Sequence, residues 1–72
     1  MNNYIRALET IDKQIDTVYM NNKNNVLFAI DNQKNKYKVF QNNNMPNLFD
    51  IFRNDILIDN VLVRHIGETL CL

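Results

Sequence analysis

Two apolar runs of strand length, each bounded by asparagines, constrain the fold of this chain more than any other feature. Residues 26–31 read VLFAID, residues 36–41 read KYKVFQ, and the loop NQKN joins them. In the second run Lys36 and Lys38 share one face and Tyr37 and Val39 share the other, as in a strand with one wet side. Asparagine tolerates turn conformations and bonds to its own backbone. The pattern therefore predicts a β-hairpin rather than a disordered low-complexity spacer.

The N-terminal segment, residues 3–20, is predicted to form an amphipathic helix that reaches at least Val18. Its apolar residues recur at alternating spacings of four and three, as on one face of a helix; they are Tyr4, Leu8, Ile11, Ile15 and Val18. Residues 15–20 have an alternative interpretation as a strand, because Thr17, Val18 and Tyr19 all favour extended structure.

The second half of the chain is predicted to contain a short second helix followed by strands. Pro46 suits a first helical turn, and Leu48, Ile51 and Phe52 would form one apolar face. ILI and VLV on either side of Asp59-Asn60 suggest two strands joined by a tight turn. The alternative is a single helix over residues 47–66, stopped by a glycine. The predicted fold class is α+β: an N-terminal amphipathic helix packed on a small antiparallel sheet, made of the central hairpin and C-terminal strands, with a short second helix.

Length and composition favour one small domain over residues 1–72. Leu, Ile, Val and Phe supply 24 of the 72 residues, which exceeds the level of about 20% below which chains stay disordered. The single cysteine excludes an internal disulfide. The N-terminus does not resemble a signal peptide, and no apolar run approaches the roughly 20 residues that span a bilayer. We therefore expect a cytoplasmic protein without a membrane segment. Fourteen asparagines and eight isoleucines are what an AT-rich genome encodes.

Catalytic and metal-binding chemistry is predicted to be absent. The chain has no serine, and its one Cys-His combination is Cys71 with His65. In a continuous strand these two side chains would stand about 20 Å apart. One histidine and one cysteine cannot build a zinc tetrahedron without several carboxylates, and the acidic residues are dispersed. We expect no catalytic residue, no metal site and no cofactor.

Three lysines at alternate positions, Lys34, Lys36 and Lys38, form the most suggestive feature. They could bind a phosphate backbone or an acidic partner surface. The favoured interpretation is structural, because lysines on an edge strand discourage strand addition from another chain. Tyr37 and Phe40 are assigned to the opposite face, so the lysine strip is expected to lack a stacking platform for bases.

The predicted function is binding without catalysis. The formal charge is zero, which argues against a dedicated nucleic-acid protein and modestly favours self-association. We expect a protein-protein interaction module, of the kind with which a phage or mobile element inhibits a host enzyme or defence complex. Its candidate contacts are Lys34, Lys36, Lys38, Tyr4 and Tyr19. The alternatives are a nucleic-acid-binding regulator that uses the lysine strip and a self-assembling structural protein, for example a homodimer.

Overall fold

The computed structural model describes residues 2–63, which form one helix and five strands. In chain order the elements are α1 (Asn2–Glu9), β1 (Ile15–Asn21), β2 (Val26–Asp31), β3 (Lys36–Gln41), β4 (Leu48–Arg53) and β5 (Ile56–Leu62).

The five strands form one antiparallel sheet in which each strand pairs with the next along the chain. β2 and β3 are the predicted hairpin, with Leu27 opposite Val39 and Ala29 opposite Tyr37. The hairpin prediction is therefore confirmed. The order β1-β2-β3-β4-β5 places β3 at the centre of the sheet and β1 and β5 at its edges.

The predicted long N-terminal helix is wrong, because α1 ends at Glu9. The Thr10 hydroxyl donates to the Ala7 carbonyl at 2.6 Å in the turn that follows. Residues 15–21 then pair with β2, which is the alternative that their β-branched and aromatic side chains favoured. Apolar residues spaced by four and three fit one long helix, but they also fit a short helix followed by a turn and a strand. Here pairing with β2 selects the second structure.

The predicted second helix is also wrong, because residues 48–53 form β4. Phe49 and Ile51 alternate with Asp50 and Phe52, and the first two are fully buried. The single helix over residues 47–66 is excluded for the described part of that range, where β4 and β5 pair antiparallel. The α+β fold class gives way to a five-stranded antiparallel sheet with one short helix.

The turn between β4 and β5 lies at Asn54-Asp55, and the predicted turn at Asp59-Asn60 does not exist. Arg53 pairs with Ile56 around two residues whose φ angles are both positive, 50° for Asn54 and 71° for Asp55. Two positive φ angles define the type I′ turn that suits the twist of a two-residue hairpin. Asp59 and Asn60 lie within β5 instead, although a bulge between Ile51 and Phe52 shifts the pairing there.

One face of the sheet carries the core. α1 packs on β3 and β4, and the Tyr4 ring meets the Phe49 ring edge to face with centroids 4.9 Å apart. Each fully buried side chain of this kind contributes roughly 1.5–3 kcal/mol of transfer free energy. The buried cluster consists of Tyr4, Ala7, Leu8, Leu27, Ala29, Tyr37, Val39, Phe49, Ile51 and Val63.

Candidate functional site: the open face of the sheet

The side of the sheet opposite α1 is not covered by any other described element, and we call it the open face. Cross-strand pairing fixes its membership, because directly opposed residues point to the same side. Its central row runs from Tyr19 through Phe28, Lys38 and Phe52 to Leu57. The neighbouring positions are Ile30, Lys36, Phe40, Asp50 and Asn60.

The lysines do not protect an edge strand, and this part of the sequence interpretation is wrong. Lys36 and Lys38 lie on β3, which is the central strand and has hydrogen-bonded neighbours on both sides. Lys34 is not in the strand but in the β2–β3 turn, where its φ angle of 70° is left-handed. The strip of three therefore reduces to two lysines on the central strand of the open face, Lys36 at the start of β3 and Lys38 two residues further on, and Lys34 serves the turn.

The lysines have aromatic neighbours, contrary to the sequence prediction. Phe40 lies two residues after Lys38 in the same strand and shares its face, so only Tyr37 was placed correctly. Phe28 and Phe52 lie directly opposite Lys38 on the two adjacent strands. Phe40 and Phe52 meet edge to face with ring centroids 5.5 Å apart. The open face therefore combines ammonium groups and aromatic rings.

Charge on the open face is balanced. Lys38 Nζ lies 3.2 Å from Asp55 Oδ1, and the two side chains are 45% and 83% exposed. An exposed pair of this kind contributes at most about 1 kcal/mol. Asp50 accepts a hydrogen bond from the Asn60 amide on the neighbouring strand. Among the described residues the ammonium group of Lys36 has no ion-pair partner. The open face therefore carries charges of both signs and is not a basic surface.

Apolar side chains are exposed at both margins of the open face. Tyr19 on β1 is 63% exposed and tilts against Phe28 with ring centroids 6.3 Å apart. Leu57 on β5 is 51% exposed. Between these two residues the row continues through the half-buried Phe28 and Phe52, with Lys38 at its centre. An extended apolar surface on a small protein is typical of an interaction site. Reasoning from the sequence missed Phe28, Phe52 and Leu57 because it did not assign them to one sheet face.

The two candidate tyrosines lie in different environments. Tyr19 belongs to the open face, where it is available to a partner. Tyr4 lies on the inner side of α1 and is 7% exposed, and its hydroxyl donates to the Asn25 carbonyl at 3.3 Å and to Gln41 Oε1 at 3.4 Å. Burial raises the pKa of Tyr4. Tyr4 is therefore a structural residue, and it is withdrawn from the candidate contacts.

A second polar cluster lies at the end of the core and ties the loop after α1 to the sheet. The Tyr37 hydroxyl donates to Asp12 Oδ2 at 2.9 Å. Burial is the main cause that raises the pKa of Tyr37; Arg53 lowers it and the Asp12 carboxylate raises it further. Asp31 accepts from the backbone N–H groups of Gln33 and Asn35 and from the Asn35 amide. Burial raises the pKa of Asp31, but its hydrogen bonds outweigh this effect and lower the pKa to about 2.

This cluster is structural. No buried side-chain polar atom in the described part of the chain lacks a hydrogen-bond partner, so its donors and acceptors serve the loop and the turn. Within residues 2–63 no three His, Cys, Asp or Glu side chains lie close enough to hold a metal ion. Cys71 and His65 lie outside the described residues. None of the described helices is long and apolar enough to cross a membrane.

Fold and site together define a small antiparallel sheet protein. A helix covers one face of the sheet, and the other face is open and carries aromatic side chains together with charges of both signs. Comparison with protein-family models, with curated proteins and with solved structures gives no match.

Proposed function

We propose that this chain is a non-catalytic protein that docks on a partner protein through the open face of its sheet. The observation that carries the proposal is the central row, in which three apolar side chains and one tyrosine flank a single lysine. Protein interfaces are enriched in aromatic side chains and poor in charge at their centres. Both ends of the row are exposed, at Tyr19 and Leu57, so that a partner can make apolar contacts from one edge strand to the other.

A protein partner fits the charge pattern better than a nucleic acid does. Lys38 is paired with Asp55, and Asp50 adds a second carboxylate to the same face. Interfaces with nucleic acid are much more positively charged than this. We propose, in line with the size and composition of the chain, that the docking inhibits a host enzyme or defence complex, that a phage or mobile element encodes it, and that it acts in the cytoplasm.

Single-stranded nucleic acid is the second candidate partner, and one observation favours it. Phe28 and Phe52 flank Lys38 directly, and Lys36 stands beside them without an ion-pair partner among the described residues. Aromatic rings interleaved with cations are the usual platform for bases and phosphates. A filter-binding titration with an oligothymidylate decides between the two candidates. Submicromolar affinity that falls steeply with salt would contradict the protein-partner proposal.

The test of the protein-partner proposal compares three baits in affinity capture from the native host, followed by binding measurements with the purified partner. The first bait is the unchanged chain, and the second carries Tyr19→Ser and Leu57→Ser on the open face. The third carries Glu9→Ser and Lys13→Ser, which are exposed positions away from that face. We expect the open-face variant alone to lose affinity by about tenfold or more, which corresponds to at least about 1.4 kcal/mol.

Two results would contradict the proposal. One is a partner that binds the open-face variant as tightly as it binds the unchanged chain. The other is light scattering at micromolar concentration that shows a closed oligomer disrupted by Tyr19→Ser and Leu57→Ser, since the open face would then serve self-assembly.

A further inference from the structure

The two asparagine tracts, distant in sequence, meet at one end of the sheet. In an antiparallel meander alternate connections emerge at the same end, so the β1–β2 turn lies beside the β3–β4 loop. Together they border a groove of about 710 Å³, which we call the asparagine groove. That size lies within the range of about 300–1,000 Å³ that is typical of small-molecule sites. Its lining includes Asn24, Asn25, Asn42, Asn43 and Asn44.

Turn formation accounts for only some of these asparagines. Asn42 Oδ1 accepts the backbone N–H groups of Asn44 and Met45, and Asn25 takes a left-handed φ angle of 53°. The side-chain amides of Asn24, Asn43 and Asn44 enter none of the hydrogen bonds found among residues 2–63. Three exposed amides therefore face the groove without a structural task in the described part of the chain.

The lining of the asparagine groove contains two aromatic rings and no positive charge among the described residues. Phe40 and Phe52 line it with their rings at 78° to each other, and Asp50 supplies one carboxylate. No lysine or arginine of the described residues lines it. A site without a cation and with a carboxylate disfavours phosphate or sulfate groups, because an unpaired anion would face a like charge. An anionic ligand is therefore disfavoured, whereas hydroxyl groups of a neutral ligand can donate to the Asp50 carboxylate and bond to the amides.

We propose that the asparagine groove binds a neutral carbohydrate. Each carboxamide offers two N–H donors and a carbonyl acceptor, which match hydroxyl groups that both donate and accept. The flat apolar C–H face of a sugar ring can pack on Phe40 or Phe52, as apolar groups do on aromatic rings. A groove lined by both amides and aromatic rings therefore matches the polar and apolar surfaces of one sugar unit. Sugar binding in the groove does not require the partner protein. The two surfaces nevertheless share Phe40 and Phe52, which also belong to the open face.

The experiment is an amide proton–nitrogen NMR titration of the full chain with maltotriose, cellotriose and chitotriose. We expect at least one trisaccharide to shift the signals of residues 24–25 and 40–44 in a saturable manner, with a dissociation constant on the order of 1 mM. The double variant Asn43→Ala with Asn44→Ala should weaken this binding by about tenfold, the effect of losing one or two hydrogen bonds. Asn22→Ala is the matched control, because Asn22 is equally exposed but does not line the groove.

Three results would overturn the proposal. The first is that none of the trisaccharides shifts these signals at 20 mM, on the order of twenty times the expected dissociation constant. The second is that the Asn43 and Asn44 variant binds as well as the Asn22 control. The third is that an oligothymidylate, and no trisaccharide, shifts the same signals. Since none of the substituted residues is Tyr19 or Leu57, loss of sugar binding and loss of protein docking are separate outcomes.

Discussion

Removing the Tyr37 hydroxyl should destabilise the fold although the ring stays in place. Tyr37 is 1% exposed on the central strand β3. Its hydroxyl donates the side-chain hydrogen bond that, among the described residues, joins β3 to the loop after α1. Tyr37→Phe keeps the ring in the buried cluster but leaves Asp12 Oδ2 without this donor. The substitution therefore isolates a single hydrogen bond.

The magnitude follows from the charge of the acceptor. A hydrogen bond to a charged group contributes about 1.5–3 kcal/mol, against about 0.5–1.5 kcal/mol for a neutral pair. Since Asp12 keeps its contact with the Gln14 N–H at 2.8 Å, we take the lower end, about 1.5 kcal/mol. For a domain of this size that loss lowers Tm by about 6–12 °C. With an m value of about 1 kcal/mol/M, the urea midpoint moves by about 1.5 M.

Tyr4→Phe is the matched control. The Tyr4 hydroxyl also lies in the core, but its acceptors are neutral oxygens at 3.3 Å and 3.4 Å. We expect a loss of about 0.5 kcal/mol. Urea unfolding monitored by circular dichroism measures both variants, and a double-mutant cycle of Tyr37→Phe with Asp12→Ala measures the coupling directly.

Two outcomes would refute this reasoning. In the first, Tyr4→Phe destabilises the chain as much as Tyr37→Phe does, so that the charge of the acceptor has no influence. In the second, the cycle gives no coupling energy, so that the loop after α1 is not held through Asp12.

The remaining predictions concern the turns and the two faces of the sheet. Because the folded pKa of Asp31 is lowered from 3.8 to about 2, its carboxylate stabilises the fold above pH 3.8 and ceases to do so as pH falls towards 2. In acid titrations, Asp31→Asn should therefore be less stable than the unchanged chain at pH 7 and should lose less stability than that chain between pH 4 and 2. Asp55→Gly should raise the free energy of unfolding by about 0.5 kcal/mol in urea melts. Relief of the left-handed φ angle contributes about 1 kcal/mol, which exceeds the free energy lost with the exposed ion pair to Lys38. Phe49→Ala should cost about 3–5 kcal/mol, enough to unfold the chain, whereas Phe40→Ala on the open face should leave a folded circular dichroism spectrum.

The central hairpin was predictable because its evidence is local. Lys36, Tyr37, Lys38 and Val39 alternate strictly, and that alternation has no helical interpretation. The strand at residues 48–53 was not predictable in the same way. Leu48, Ile51 and Phe52 have helical spacing, and only pairing with β3 and β5 makes Phe49 and Ile51 the inward residues. Local spacing permits both structures, and the sheet selects one.

The candidate site was recognised only in part, for two different reasons. That Lys36 and Lys38 lie on the central strand depends on the order of five strands, which is a long-range property of the sheet. The positions of Phe28 and Phe52 beside Lys38 depend on register in the same way. By contrast, Phe40 could have been assigned to the lysine face from the sequence, since it is two residues from Lys38.

Docking through the open face requires a sheet with one covered face and one face accessible to a partner. Relaxation enhancement by a soluble nitroxide, measured on the ring protons of the four phenylalanines, tests this most directly. We predict clearly stronger broadening for Phe28, Phe40 and Phe52, which are half-buried, than for Phe49, which is fully buried beneath α1. Equal protection of all four rings in the monomeric chain would contradict the account, because the proposed docking surface would then be covered.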